Sequence, residues 1–395
     1  MTAPETDQPK KERWCRQGMF AAGIALVVLA VGLSLCSTYA EDEEDCAVLL
    51  QPGDSIQTAI ESADVDAILC LAPGVYQELL VITKSITLRG MGETPEDVEI
   101  KGTSRSEPGI SIHNPEDTEE PFEVTFENIT LSNRYPAKFH GIEVEGTAGI
   151  VVSNSQILGC MRYGLVLRDS TTAAIYSSTL GDSTNGVLFK DESQVTLVGC
   201  TFTKTKRIEL EGDCVVTMDQ CDMGSTNIVA SGRSRLAAIN SALKVLVLSS
   251  NTDTRLTDCT IKHCTMEPIM ANISAKLRMT GCVVEANSYG IRLEGNSEST
   301  IDECVFADNA YTPLFLGESA TLHITNCEFL RNAGFGIATW TSECGALCGV
   351  PSPGSMPDDF EGRLSGSANT IPGPDEPDGN TLGDVCPDSF HSVKD

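Results

Sequence analysis

Leu197-Val198-Gly199-Cys200-Thr201-Phe202, Leu256-Thr257-Asp258-Cys259-Thr260-Ile261, Met279-Thr280-Gly281-Cys282-Val283-Val284 and Ile324-Thr325-Asn326-Cys327-Glu328-Phe329 repeat one pattern. An apolar residue is followed, one position on, by a turn-suited residue, then cysteine, then after one more position a second apolar residue. Cys221 and Cys304 carry the same pattern, and Ser155, Ser178 and Ser241 take the cysteine's place in three further copies. Successive markers lie 18 to 23 residues apart. A period near 22 residues is the mark of a solenoid.

The residue two after the marker is always apolar: Ile157, Leu180, Phe202, Met223, Leu243, Ile261, Val284, Phe306 and Phe329. So is the residue three before it, from Val152 and Ile175 through to Ile301 and Ile324. Between them, immediately before the marker, lie Asn154, Ser177, Gly199, Gln220, Asn240, Asp258, Gly281, Glu303 and Asn326, mostly residues that suit a bend. Each unit reads as strand, bend, strand, with the marker and its +2 neighbour on one side. A third short strand closes many units, as in Gly164-Leu165-Val166-Leu167 and Gly336-Ile337-Ala338-Thr339. Three strands in one repeat form a coil of an all-β, single-stranded right-handed parallel β-helix. At the usual strand spacing, about twelve coils make a rod roughly 55–60 Å long.

The chain resembles the right-handed parallel β-helix superfamily with the pectin-lyase-like fold, and within it the periplasmic copper-binding-type repeats. The resemblance runs from about residue 46 to 343. Gln51-Pro52-Gly53-Asp54-Ser55-Ile56-Gln57-Thr58-Ala59-Ile60 is similar to the family's first turn, where a short amphipathic helix caps the coil. Ala72-Pro73-Gly74-Val75-Tyr76-Gln77-Glu78 and Ser85-Ile86-Thr87-Leu88-Arg89-Gly90 look like the next coils. The expected organisation is an export segment or single-pass anchor over 1–40, capping coils over 46–105, β-helix repeats over 106–343 and an irregular Pro/Gly-rich cap over 344–395.

The N-terminus supports export. Lys10, Lys11, Arg13 and Arg16 precede an uncharged, largely apolar run from Met19 to Cys36, and Ala40 fits a cleavage site before an acidic stretch. A cleaved signal peptide and a retained membrane anchor are both open, and both place residues 41–395 outside the cytoplasm, at the cell surface or periplasm. The net charge of −29 argues against nucleic acid as a partner.

Of the 16 cysteines, the six ladder members Cys200, Cys221, Cys259, Cys282, Cys304 and Cys327 read as inward packing residues, because serine serves at the same place. Cys46 with Cys70, and Cys386 with Cys344 or Cys348, are the disulfide candidates of an exported chain. Asn287, Asn309 and Asn332 fall five residues after their markers and read as a structural ladder at a second bend. The histidines show no metal-site spacing.

Enzymes of the resembled fold use carboxylate sets, or a basic residue with calcium, on one outer face. No such set is recognisable here: Asn251-Thr252-Asp253 stands without partner motifs. Calcium is the one cofactor the resemblance offers, and no aspartate-arginine pattern holds it. Aromatic residues make up 5% of the chain, too few for a long ring-lined groove. The long step between Ile129 and Ser155 carries Arg134, Tyr135 and His140, while Arg162 and Arg207 each fall seven residues after a marker, with Lys206 beside the latter. This basic and aromatic group is the candidate binding set for a polysaccharide or cell-surface glycan. The sequence thus points to a non-catalytic envelope scaffold or carbohydrate-binding solenoid. The alternative is a polysaccharide-active enzyme of the pectate-lyase, pectinesterase or polygalacturonase kind.

Overall fold

One left-handed residue turns the chain in every coil. Each of the nine residues preceding the markers, from Asn154 to Asn326, has φ between +45° and +63°. A single such residue redirects the chain by a sharp angle without a loop. The turn leads from a strand of a first sheet into a short strand of a second. A further bend leads to a third sheet, and another returns the chain to the next coil.

The computed structural model describes residues 45–394, apart from 105, 116–117, 119, 134–139, 160–161, 340–343 and 345–359. The export or anchor segment expected over 1–40 lies outside these residues. Among the described residues no helix is long and apolar enough to cross a membrane. The rod is a right-handed parallel β-solenoid of about 12 turns. Its first sheet has 14 strands, its third has 13, and the second is divided into 6 and 5. Register is maintained from coil to coil: Ala173, Val195, Val216, Leu236, Thr254 and Leu277 are successive partners in the first sheet, all buried.

The division of the second sheet has a cause in the repeat length. The steps from Cys221 to Ser241 and from Ser241 to Cys259 are the two shortest. There the sheet narrows to single bridges, Thr201 to Asp222 and Asp222 to Ala242, between the strands Thr201–Thr203 and Ala242–Leu243.

Ser and Cys interchange at the marker because the position needs one small group with two jobs. The bend turns the backbone N–H of the marker inward, and at five junctions the marker of the following coil accepts from it. Ile129 N donates to Ser155 Oγ (3.1 Å), Ser155 N to Ser178 Oγ (3.1 Å), Cys221 N to Ser241 Oγ (3.1 Å), Cys282 N to Cys304 Sγ (3.4 Å) and Cys304 N to Cys327 Sγ (3.4 Å). The same side chain donates to the carbonyl two residues before it, as Ser178 does to Tyr176 and Cys304 to Asp302. Hydrogen bonding between neighbouring ladder thiols, and then burial, pushes Cys200, Cys259 and Cys304 above the ordinary thiol range. Burial, with the nearby Glu211 and Asp191 carboxylates adding to it, raises Cys214 to about 12.

A second ladder runs along the next bend. Asn287, Asn309 and Asn332 are each no more than 1% exposed. Each Oδ1 accepts from the previous coil: Cys264 N to Asn287, Asn287 N to Asn309 and Asn309 N to Asn332. Each Nδ2 donates to a carbonyl of that coil, Ile261, Val284 and Phe306 respectively. Earlier coils place Ser183, Thr205, Thr226 and Cys264 at this bend, so it also accepts small polar substitutes.

A short helix, α1 (Ile56–Ser62), closes the N-terminal end, capped by Ser55 Oγ and burying Ile56 and Ile60. A 1.91 Å disulfide joins Cys46 to Cys70 across the first two strands of the first sheet. The C-terminal segment differs from the irregular cap expected over 344–395. Arg363–Ser367 extends the first sheet and Gly383–Cys386 the third. Asn369 and Asn380 continue the two ladders, accepting from Cys327 N and Asn332 N. Glycine and proline around these short strands hid them from a periodicity reading. A second disulfide, Cys344–Cys386, fixes the segment to the third sheet.

Two outcomes follow from the ladders. Cys304→Ser keeps both hydrogen bonds and leaves the urea midpoint nearly unchanged. Cys304→Val orphans the Cys282 amide, and the midpoint falls by the equivalent of about 1–3 kcal/mol. Equal losses in the two variants would show that volume alone governs the site. In the folded protein the eight buried free cysteines, from Cys200 to Cys327, resist alkylation and label only in denaturant, as peptide mapping by mass spectrometry would read.

Candidate functional site

The outward face of the third sheet is where this rod departs from a polar surface. Read across the ten paired strands from Ile142–Val144 to Phe335–Thr339, its outward row is Glu143, Val166, Leu188, Glu209, Val229, Val247, Met270, Arg292, Phe315 and Ala338. Outward positions of a solvated sheet are ordinarily polar. Here seven of the ten are apolar. Val166, Leu188, Phe315 and Ala338 are buried, whereas Val229, Val247 and Met270 stay half-exposed. The result is a partly open apolar track with a polar cluster near each end.

The first cluster contains the residues singled out in the sequence. His140 is 3% exposed, its ring 5.6 Å from that of Tyr163. Asn133 Nδ2 donates to the His140 carbonyl and holds the backbone there. Tyr163 packs with Val166 and Leu188 and donates its hydroxyl to Glu209 Oε1 at 2.9 Å. Arg207 Nε donates to the same oxygen at 2.6 Å, and Arg168 Nε donates to Glu143 at 2.9 Å. The Arg162 guanidinium lies 5.9 Å from the Tyr163 ring centre. Arg162 and Lys206 are both exposed. Arg134 and Tyr135 lie outside the described residues.

The structure shifts one sequence expectation. The equal offset of Arg162 and Arg207 from their markers predicts one shared angular position, and they do not share it. The strand Tyr163–Leu167 has a register irregularity between Tyr163 and Leu165, so Arg207 lines up through Gly186 with Tyr163. The residue aligned with Arg162, by way of Asn185, is Lys206. Gly186 is required: a Cβ there would lie 1.8 Å from the Arg207 carbonyl oxygen, and φ is +106°. Equal sequence spacing concealed a one-residue bulge.

Burial acts on the titratable groups of this cluster. It lowers His140 from its ordinary 6.5, aided by Arg162 and Arg168 against the pull of Glu143. It raises Glu145, with Glu143 adding to the effect. Burial, then the hydrogen bond to Glu209, pushes Tyr163 up to about 12, so its hydroxyl stays a donor. Glu143 and Glu209, the two outward carboxylates, are each paired with an arginine.

The second cluster went unnoticed in the sequence. Tyr289 and Tyr311 stack at 5.2 Å with an 18° interplanar angle. They flank a shallow cleft shared with Glu267, Arg292 and Phe315. Arg292 bonds Glu294 at 2.5 Å and lies 3.8 Å from Glu267. A signal was present: Tyr289 and Tyr311 both fall seven residues after their markers, the offset used to choose Arg162 and Arg207. Among the described residues no group of three or more His, Cys, Asp or Glu is placed to hold a metal ion.

Known proteins agree with this architecture. Residues 86–242 and 185–346 match the family model described as right handed beta helix region. No curated protein matches the chain. Among solved structures, the catalytic domain of a GH87 α-1,3-glucanase in complex with tetrasaccharides superposes with a TM-score of 0.57 at 8% identity, over 85% of this chain and 71% of that one. The A-module of mannuronan C-5 epimerase AlgE4 from Azotobacter vinelandii gives 0.48 at 14%, over 84% and 97%. Geobacillus virus E2 ORF18 gives 0.47 at 17%, and the match spans 82% of this chain and 65% of that protein. The superposition on the GH87 domain shows a shared fold.

The pH response of the first cluster is testable. His140, with a depressed folded value, contributes stability that is complete above pH 6.5 and is lost as the pH falls below it. Glu145, with a raised value, works in the opposite sense, its contribution lost as the pH rises through the folded value. His140→Gln therefore flattens the fall in urea midpoint on going from neutral to mildly acidic buffer. An unchanged slope would place the acid sensitivity elsewhere.

Proposed function

We propose that this chain, which belongs to the right-handed β-helix family, is an extracytoplasmic rod that binds a glycan along the outward face of its third sheet without cleaving it. The observation that carries this reading is the half-exposed apolar track Val229-Val247-Met270, bounded by one cluster around Tyr163 and another around Tyr289. Sugar rings offer apolar faces and hydroxyl edges, and a track of this composition meets both. The exposed Arg162 and Lys206 add a place for an acidic substituent. The same fold carries tetrasaccharides in the GH87 domain. Location outside the cytoplasm is supported by the two disulfides and by the basic-then-apolar N-terminus.

The carboxylates of this face favour recognition over catalysis. Glycoside cleavage asks for two carboxyl groups facing one bond, one of them able to give a proton. Glu143 and Glu209 are separated by two intervening strands and each is joined to its own arginine. One specific observation favours a catalytic second reading: the raised Glu145 and the depressed His140 belong to the same cluster.

A glycan array and a depolymerisation screen of the full chain, with and without calcium, separate the two. Binding without product, lost in Val247→Lys at an unchanged melting temperature, supports the proposal. Product release abolished by Glu145→Gln would replace it with the enzyme reading. Silence in both screens would leave only a scaffold.

A further inference from the structure

We infer that the cleft beside Tyr289 and Tyr311 is a distinct subsite for a neutral sugar residue, using the tyrosine pair as platform and Glu267 and Arg292 as hydroxyl partners, with Glu294 holding the arginine in place. This rests on the glycan-binding reading and assigns a ligand class to one end of the track.

The rings are the first argument. Among the described residues Tyr311 is the one exposed aromatic side chain, at 39%. The other described phenylalanine and tyrosine rings are buried or half-buried. Tyr289 supports Tyr311 from one coil below, which fixes the pair without coverage by a third ring. The following coil places a glycine, Gly334, against the Tyr311–Thr312 peptide. A Cβ at Gly334 would lie 2.3 Å from Thr312 N. The backbone's close approach thus excludes any side chain at that point, and the platform stays open.

The polar groups are the second argument. Arg292, on the strand Ile291–Leu293, and Glu294, two residues on, project to the same outward side, and the guanidinium reaches Glu294 at 2.5 Å and Glu267 at 3.8 Å. The three side chains are only 19–25% exposed, so the network is fixed before a ligand arrives. It offers both acceptors and donors, the combination that pairs with sugar hydroxyls. Two carboxylates face one guanidinium, a balance that repels uronates and sulfates. The Arg162 and Lys206 end of the track has the opposite balance. The rod accordingly presents an acid-tolerant end and a neutral-sugar end on one face.

Affinity electrophoresis of the full chain through gels holding a neutral glucan, a polyuronate or chitosan tests this. The expected result is retardation by the neutral polymer, weakened about tenfold by Tyr311→Ala and preserved by Tyr311→Phe, in line with the loss of one ring contact. Any retardation by the polyuronate is lost in Arg162→Ala with Lys206→Ala. Chitosan retarding the chain in a Tyr311-dependent way would overturn the assignment in favour of an amine-binding site. Neutral binding that ignores Tyr311 but disappears in Val247→Lys would sink the subsite while keeping the track. Circular dichroism melts of each variant separate lost binding from lost folding.

Discussion

The rod depends on a buried amide at the first bend of every coil. The left-handed residue that makes the bend sharp also aims the next N–H inward, where water cannot reach it. An unmet buried donor is costly, so each coil must supply an acceptor for the coil before it. Serine, cysteine and asparagine side chains do this at one bend or the other. Position along the axis, register within the sheets and the outward row of the third sheet all follow. One missing or extra residue between a bend and its marker would misplace the acceptor.

The same constraint explains the cap. Asn369 and Asn380 accept from Cys327 and Asn332 as a further coil would. Asn369 also donates to the carbonyls of Ile324 and Val393, and Asn380 to those of Phe329 and Pro372. The last coil is finished by a segment that copies its inner bonds while crossing its open edge. Free sheet edges invite further pairing, and such a finish answers them.

The fold was legible because inward positions obey strict rules. Cys282, Cys304 and Cys327 repeat with the apolar residues that flank them, and a period is readable without knowing a single contact. The third-sheet ladder of Val229, Val247 and Met270 was present in the sequence too, yet three-residue strands carry too little alternation to tell an outward valine from an inward one. Tyr163 and Arg207 became partners only through a bulge, which spacing conceals. The site was therefore readable as a neighbourhood, and its register was not. The Tyr289–Tyr311 pair was missed for a different reason: the search for charge passed over rings at the same offset.

The narrowing of the second sheet at Asp222 has a mechanical meaning. Along the axis, coils are joined in series, so a pulling load is carried undiminished through every junction. Most junctions divide that load among three multi-bond sheets. At this one the second sheet contributes a single bridge on either side of Asp222. A rod fixed at one end and tugged at the other would be weak at such narrow junctions, and, of those at Asp222 and between Glu328 and Thr370, the former lies between the two polar clusters. A ligand lying across the track would act there as a splint.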